Sequence, residues 1–332
     1  MRLIGLVVVL AAILTLAPIA AEGESPQNAK IAKIGVLSPA TAGDPAANAL
    51  EGAFQDALRK LGWVKGHNLV LERRFVGGHI DQFASAAREL VQLNVDLIVA
   101  WSPAGTVAAK NATSVIPIVF LAGGAAVEHG LVAGLPRPGG NLTGITFQAN
   151  RTLAPKYLEI LKDLVPRLSD VAVLRVPAED PADETENYEA PARTLNIRLR
   201  QIALHRPDDL KDALRTIQRN RPQALLGAPS GLLYVFRREI ADFAATQRLP
   251  ALYGLREVVD AGGLMSLSPS MADIAVRGAS YVDKVLRGAK PADLPVAQPT
   301  KFELVINMKT AKDLGLSIPQ SALVRADEII HP

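Results

Sequence analysis

From residue 31 onward the chain repeats one alternation: a short run of β-branched and aliphatic residues, then a longer stretch whose apolar positions recur every three or four residues. A pattern that switches between these two periods predicts strands and helices in turn, and hence a parallel sheet covered by helices on both faces. A strand over 31–37 leads to Asp44-Pro45, a helix start, and then to Leu50, Phe54, Leu58 and Leu61 on one helical face, with Gly62 as the stop. The unit recurs as a strand over 68–76 with a helix from Asp81 that aligns Phe83, Ala87, Leu90 and Val91, then as a strand over 95–100 with a short helix from Pro103. A strand over 116–121 closes this group. After a glycine- and proline-rich loop over 122–143, a second group interleaves helices over 154–164, 183–194, 208–219 and 232–248 with strands over 171–176, 197–203, 224–228 and 251–253.

The remaining pieces are a strand over 264–267, a helix over 273–286, a proline-rich connector over 290–300, a strand over 302–306 and a helix over 309–314. They are too few for a third domain and predict returns into the first two. The expected fold is α/β: two doubly wound parallel-sheet lobes joined by a multi-strand hinge. Lobe one takes residues 31–146 plus about 265–299, and lobe two takes 147–264 plus about 300–332, with three crossings between them. Two open sheets arranged in this way leave a cleft at the carboxyl ends of their strands, where ligands bind in such folds.

Upstream of this pattern, Arg2, the apolar run over 3–21 and the small residues Ala20 and Ala21 before Glu22 have the layout of a secretory signal peptide over residues 1–21. The run is also about as long as a membrane-spanning helix of roughly 20 residues, so an uncleaved anchor is the alternative. Either way the folded part is placed outside the cytoplasm, with the periplasm as the expected compartment. About 310 residues then remain, enough for two domains of about 100–200 residues each. Lys and Arg number 36 against 33 Asp and Glu, spread without blocks of like charge, which gives no footprint for nucleic acid or an anionic membrane. The absence of cysteine excludes disulfides, thiolate chemistry and Cys-ligated zinc, so burial alone has to hold the fold.

The nucleotide and zinc-protease motifs are missing. Gly227-Ala-Pro-Ser230-Gly231 lies on a strand-to-helix turn but has its serine in the wrong place for a nucleophile elbow. The five histidines (His67, His79, His129, His205 and His331) are scattered, with none at i+3 or i+4 from another, and predict no metal site. The acidic cluster Asp180, Asp183, Glu184 and Glu186 suits the start of a helix. No catalytic residue and no cofactor is expected. The chemistry that remains lies at strand ends and helix starts: Ser38, Trp101, Ser102, Thr106 and Thr146 in the first group, Ser230, Tyr253 and Ser266 in the second. Hydroxyls and free amides at helix amino ends can hold a carboxylate, and Trp101 can stack on a planar ligand.

Ile34-Gly-Val-Leu37, Leu61-Gly-Trp63, Gly66-His-Asn68, Val95-Asp-Leu-Ile-Val99, Ile116-Pro-Ile-Val-Phe120 and Pro138-Gly-Gly-Asn141 with Thr143-Gly144 occur in this order. They are followed by Ala261-Gly-Gly-Leu-Met265, Pro291-Ala-Asp-Leu-Pro295, Phe302-Glu-Leu-Val-Ile-Asn307, Thr310-Ala-Lys312 and Leu314-Gly-Leu316. Together they resemble the substrate-binding proteins of ABC importers of the tryptophan/tyrosine-transport type. The resemblance implies a type I periplasmic-binding architecture, a small-molecule ligand held between the lobes, and an inner-membrane ABC permease as partner to a monomeric protein. Many relatives carry Asp-Pro where this chain has Ala125-Ala126, an Asp near Ser230, and Tyr-Gly at Leu267-Ser268. Without those carboxylates an amine would be buried at a cost of several kcal/mol. The ligand is therefore expected to be aromatic amino acid-like or, from the missing acids, a neutral or anionic carboxylic-acid type. A membrane-anchored sensory domain and an exported hydrolase built on Ser230 are the rival readings.

Overall fold

The computed structural model describes residues 31–147, 153–179 and 182–332. The leader over 1–21, the first residues of the second group at 148–152 and Asp180 of the acidic cluster lie outside the described residues. Among the described residues no helix is long and apolar enough to cross a membrane.

The first sheet is built from β1 (Ala32–Ser38), α1 (Pro45–Lys60), β2 (Leu69–Phe75), α2 (Phe83–Gln92), β3 (Leu97–Ala100), α3 (Pro103–Ala112), β4 (Ile118–Leu121) and β5 (Leu142–Ile145). Its strands run parallel in the order β2-β1-β3-β4-β5. The period of two sorts the side chains: Ile34, Val36, Leu97, Val99 and Val119 enter one core, while Leu37, Ile98, Ile118 and Phe120 enter the core beneath α2 and α3. β5 begins within what the sequence reads as loop. Four residues carry no usable periodicity, and its Gly144 at φ 147° passes so close to β4 that a Cβ would stand 2.0 Å from the Phe120 carbonyl oxygen.

The second sheet collects α4 (Leu153–Leu164), β6 (Asp170–Arg175), α5 (Ala182–Leu195), β7 (Arg198–Ala203), α6 (Leu210–Asn220), β8 (Ala224–Gly227), α7 (Gly231–Val235), α8 (Arg237–Thr246), β9 (Ala251–Tyr253), α9 (Arg256–Asp260) and β10 (Met265–Pro269). After α10 (Met271–Leu286), β11 (Phe302–Asn307), α11 (Met308–Asp313), α12 (Gln320–Arg325) and β12 (Glu328–Ile330) complete it. The strand order is β12-β11-β10-β9-β8-β6-β7, parallel except where β10 meets β11. Val171 and Val173 face α4 and α5, and Ala172 and Leu174 face the α6–α9 side. The long helix expected over 232–248 is two, broken at Phe236, where φ −93° and ψ 18° leave the helical region. The five-residue α9 and the late α12 and β12 are too short to announce themselves by period.

One boundary differs from the sequence reading, which gave residues from about 265 to lobe one. β10 belongs to the second sheet, because Met265 pairs with Leu252 on one side and with Ile306 on the other. The chain passes to the first sheet only at Ser270. There α10 packs on α1, β4 and β5, with Ile274, Ala275, Ala279 and Val282 in the core of Ile34 and Val36. Trp63 Nε1 donates to Asp283 at 2.9 Å, and Arg287 donates to the Leu61 carbonyl at 3.0 Å. The connector then runs beside β5, where Thr146 N donates to the Ala297 carbonyl at 2.9 Å, before β11 returns to the second sheet.

Candidate functional site

Parallel strands present their carboxyl ends together, and in this chain both sheets present them to one cavity of about 870 Å³, its open mouth included. Ser38 ends β1, Trp101 follows β3, Ala122 follows β4 and Phe147 follows β5; opposite them, Glu179 follows β6, Ser230 follows β8, Leu255 follows β9 and Met271 follows β10. Phe75, Trp101, Phe147 and Tyr234 with Val36, Leu50, Leu255 and Met271 make most of the wall apolar. Trp101 is half-buried and meets Phe54 edge-on, ring centroids 5.9 Å apart and planes at 80°. That contact locks the indole orientation and leaves the rest of the ring to the cavity.

Three serines bring hydroxyls to this wall, and each is oriented by the backbone it caps. Ser102 Oγ accepts from Gly105 N at 3.1 Å at the start of α3, Ser230 Oγ accepts from Leu233 N at 3.1 Å at the start of α7, and Ser38 Oγ accepts from Ala40 N at 3.2 Å. Each oxygen is already an acceptor, so each O–H proton remains available to an acceptor on a guest.

Ser38, Trp101, Ser102 and Ser230 thus line the cavity, and the other four candidates do not. Thr106 is fully buried one turn into α3, where its hydroxyl donates to the Ser102 carbonyl at 2.8 Å. Thr146 is tied to the crossing connector at Ala297. Tyr253 and Ser266 are neighbours in register inside the second sheet, both buried, and the Tyr253 ring fills the space that Gly227 and Gly263 leave empty.

The wall also carries carboxyl groups that the sequence reading did not place there: Glu51, Glu179 and Glu257. Glu51 is engaged by Arg73 and Gln55. Glu257 on α9 is buried, its Oε2 has no hydrogen-bond partner, and burial raises its pKa. Glu179 is 4% exposed; burial pushes its carboxyl up to about 7, against the backbone amides of Gly231 and Ala104 that favour the ionised form. No local signal marks Glu179, which sits in a turn 52 residues from the amide it binds. Among the described residues no Lys, Arg or His lines the cavity.

The two groups of elements also touch at the cavity rim. Asp44, which caps α1 through Ala47 N at 2.9 Å, accepts from Tyr234 Oη at 3.0 Å and from Arg237 at 2.6 Å. Burial alone would raise the Asp44 pKa, but the Ala47 amide, Arg237 and Tyr234 together hold it below the ordinary carboxylate value. Burial, and then the Asp44 carboxylate beside it, push the Tyr234 phenol up. A Cβ on Gly231 would stand 2.8 Å from Pro39, and one on Gly78 would stand 2.9 Å from Leu232, so backbone meets side chain across the cleft.

Residues 33–330 match the family described as ABC transporter substrate binding protein. The chain belongs to this family. Substrate-binding proteins of ABC transporters work outside the cytoplasm, taking a small molecule that a membrane permease receives. This member is 25% identical over 292 residues to the tyrosine-binding protein of Clostridioides difficile strain R20291, covering 86% of this chain and 82% of that one. Among solved structures it resembles a conserved domain protein from Vibrio cholerae, with TM-score 0.83, 26% identity, and coverage of 90% and 100%. It also resembles an ABC domain in complex with L-Trp from Streptococcus pneumonia, with TM-score 0.81, 26% identity, and coverage of 90% and 99%.

Proposed function

We propose that this substrate-binding protein captures an aromatic, amino acid-like solute between its two lobes, closes on it in the periplasm as a monomer, and hands it chemically unchanged to an inner-membrane ABC permease. The observation that carries the reading is the cavity itself: an aromatic and aliphatic box of about 870 Å³ at the strand ends of both sheets, with hydroxyl donors and carboxylates at fixed points. Its apolar wall with a few oriented polar groups is the make-up that small-molecule sites use for specificity. The carboxylates favour the amino acid-like member of the two ligand classes expected from sequence, since they restore partners for an amine that the missing family acids would have supplied. The L-Trp complex and the tyrosine-binding relative support the aromatic part. A ligand that touches both lobes gains contacts only in the closed form, and that differential affinity drives closure.

A thermal-shift screen of the mature protein tests this. L-tryptophan or L-tyrosine at about 100 times the dissociation constant adds roughly 2.7 kcal/mol of stability, which raises Tm by several degrees. D-glucose and aliphatic amino acids leave it unchanged. A sugar or an aliphatic solute that shifts Tm while every aromatic amino acid fails overturns the reading.

A further inference from the structure

Glu179 stands out among the groups on the cavity wall. It reaches from the turn after β6 to the start of α7, where Oε2 accepts from Gly231 N at 2.6 Å, and the Ala104 amide at the start of α3 on the other sheet also favours its ionised form. Oε1 nevertheless has no hydrogen-bond partner of proper geometry, although the side chain is almost wholly buried. A buried carboxyl oxygen without a well-aligned donor is costly, and the Ala104 amide offsets that cost only in part, since burial still outweighs it. Among the described residues no Lys or Arg lines the cavity, and Arg73, which reaches the wall residue Glu51, is engaged there. The three serine hydroxyls cannot be read as the missing cation; they are neutral donors oriented by their own caps.

We propose that Glu179 is the specificity-determining residue for a protonated amine on the ligand, so that the substrates of this protein are aromatic solutes bearing an ammonium group and their deaminated counterparts are rejected. This inference rests on the aromatic cavity proposed above and adds the group that discriminates within it. The ammonium supplies the donor that Oε1 lacks, and the serine protons serve the oxygens at the same end of the guest. Since α3 and α7 belong to different sheets, an occupied Glu179 also ties the two together through the ligand.

The test is calorimetric titration of wild type and Glu179→Gln with L-tryptophan, L-tyrosine and their deaminated analogues, indole-3-propionate and 3-(4-hydroxyphenyl)propionate. Glutamine keeps the size and the acceptor for Gly231 N but loses the charge. Wild type is expected to favour the amino acids by at least roughly tenfold. Glu179→Gln is expected to weaken them by about 10- to 100-fold, the worth of a hydrogen bond to a charged group, while holding the deaminated acids within about threefold. Equal weakening of both classes indicates a merely structural carboxyl and overturns the proposal. So does a wild type that binds both classes equally, a result that decides the matter even if the variant fails to fold. If no aromatic probe binds wild type at all, the aromatic reading falls and takes this inference with it; aromatic binding blind to the amine removes this inference alone.

Discussion

At the scale of single residues, the physics of this site is the physics of carboxyl groups held out of water. Glu179 has a folded-state pKa pushed up to about 7 from 4.5, chiefly by burial. The folded protein therefore binds that proton more tightly than the unfolded chain does, and stability rises as pH falls from about 7 toward 4.5, then gains nothing further. The difference in Tm between ligand-free wild type and Glu179→Gln should accordingly close by several degrees between pH 8 and pH 5, corresponding to on the order of 3 kcal/mol. Glu257, whose pKa burial also raises, is present in both proteins and cancels. A Tm difference that stays flat across this range contradicts the assignment of a buried, titrating carboxyl.

Elements depend on contacts that a Cβ would block. β5 lies against β4 only because Gly144 has none, and α10 lies on β4 only because Gly278 lets Leu121 approach to where a Cβ would be 2.3 Å from its side chain. The two clashes differ in kind. At Gly144 the obstacle is backbone and φ is 147°, so Gly144→Ala should cost about 2–4 kcal/mol. At Gly278 the obstacle is the end of a leucine that can rotate at some expense, so Gly278→Ala should cost about 1–3 kcal/mol. Urea unfolding midpoints of the two variants rank them, and a Gly144→Ala protein as stable as wild type would show that β5 is not held against β4 as described. Cap chemistry works at the same scale: Asp44, Ser102, Ser230 and Asn307 each start a helix by accepting an amide proton.

For the whole molecule, the decisive contacts are those between the two sheets. Asp44 sits on the first, Tyr234 and Arg237 on the second, and the ion pair is mostly shielded, with side chains 13% and 16% exposed. Asp44→Asn separates its two duties, because asparagine caps a helix as well as aspartate but loses the charge that holds Arg237. The variant should lose about 1–3 kcal/mol of stability, because Arg237 is left without its counter-charge in a shielded place, bind its aromatic ligand roughly three- to tenfold more weakly, and show a larger radius of gyration by small-angle scattering without ligand. Unchanged affinity together with an unchanged radius would mean that this pair does not hold the lobes together.

The amino-acid sequence alone determined the alternation of periods, and with it the two α/β groups, most strand positions and which face of each strand enters a core. It also determined that hydroxyls and Trp101 stand at strand ends, because a side chain directly after a parallel strand is carried to the ligand-binding edge whatever the rest of the chain does. Ser38, Trp101, Ser102 and Ser230 were legible for that reason. Tertiary structure decided which sheet each late strand joins: β10 reads the same whether it pairs with β9 or with β5, since a period of two specifies faces and not neighbours. It also decided that Thr106 turns back onto its own helix cap, that Tyr253 and Ser266 are spent inside the sheet, and that Glu179 and Glu257 come to the wall. The Thr106 bond is local, the back-bonding to the i−4 carbonyl open to any threonine in a helix, but the others follow from distances between residues far apart in the chain, set by close packing of helices on sheets.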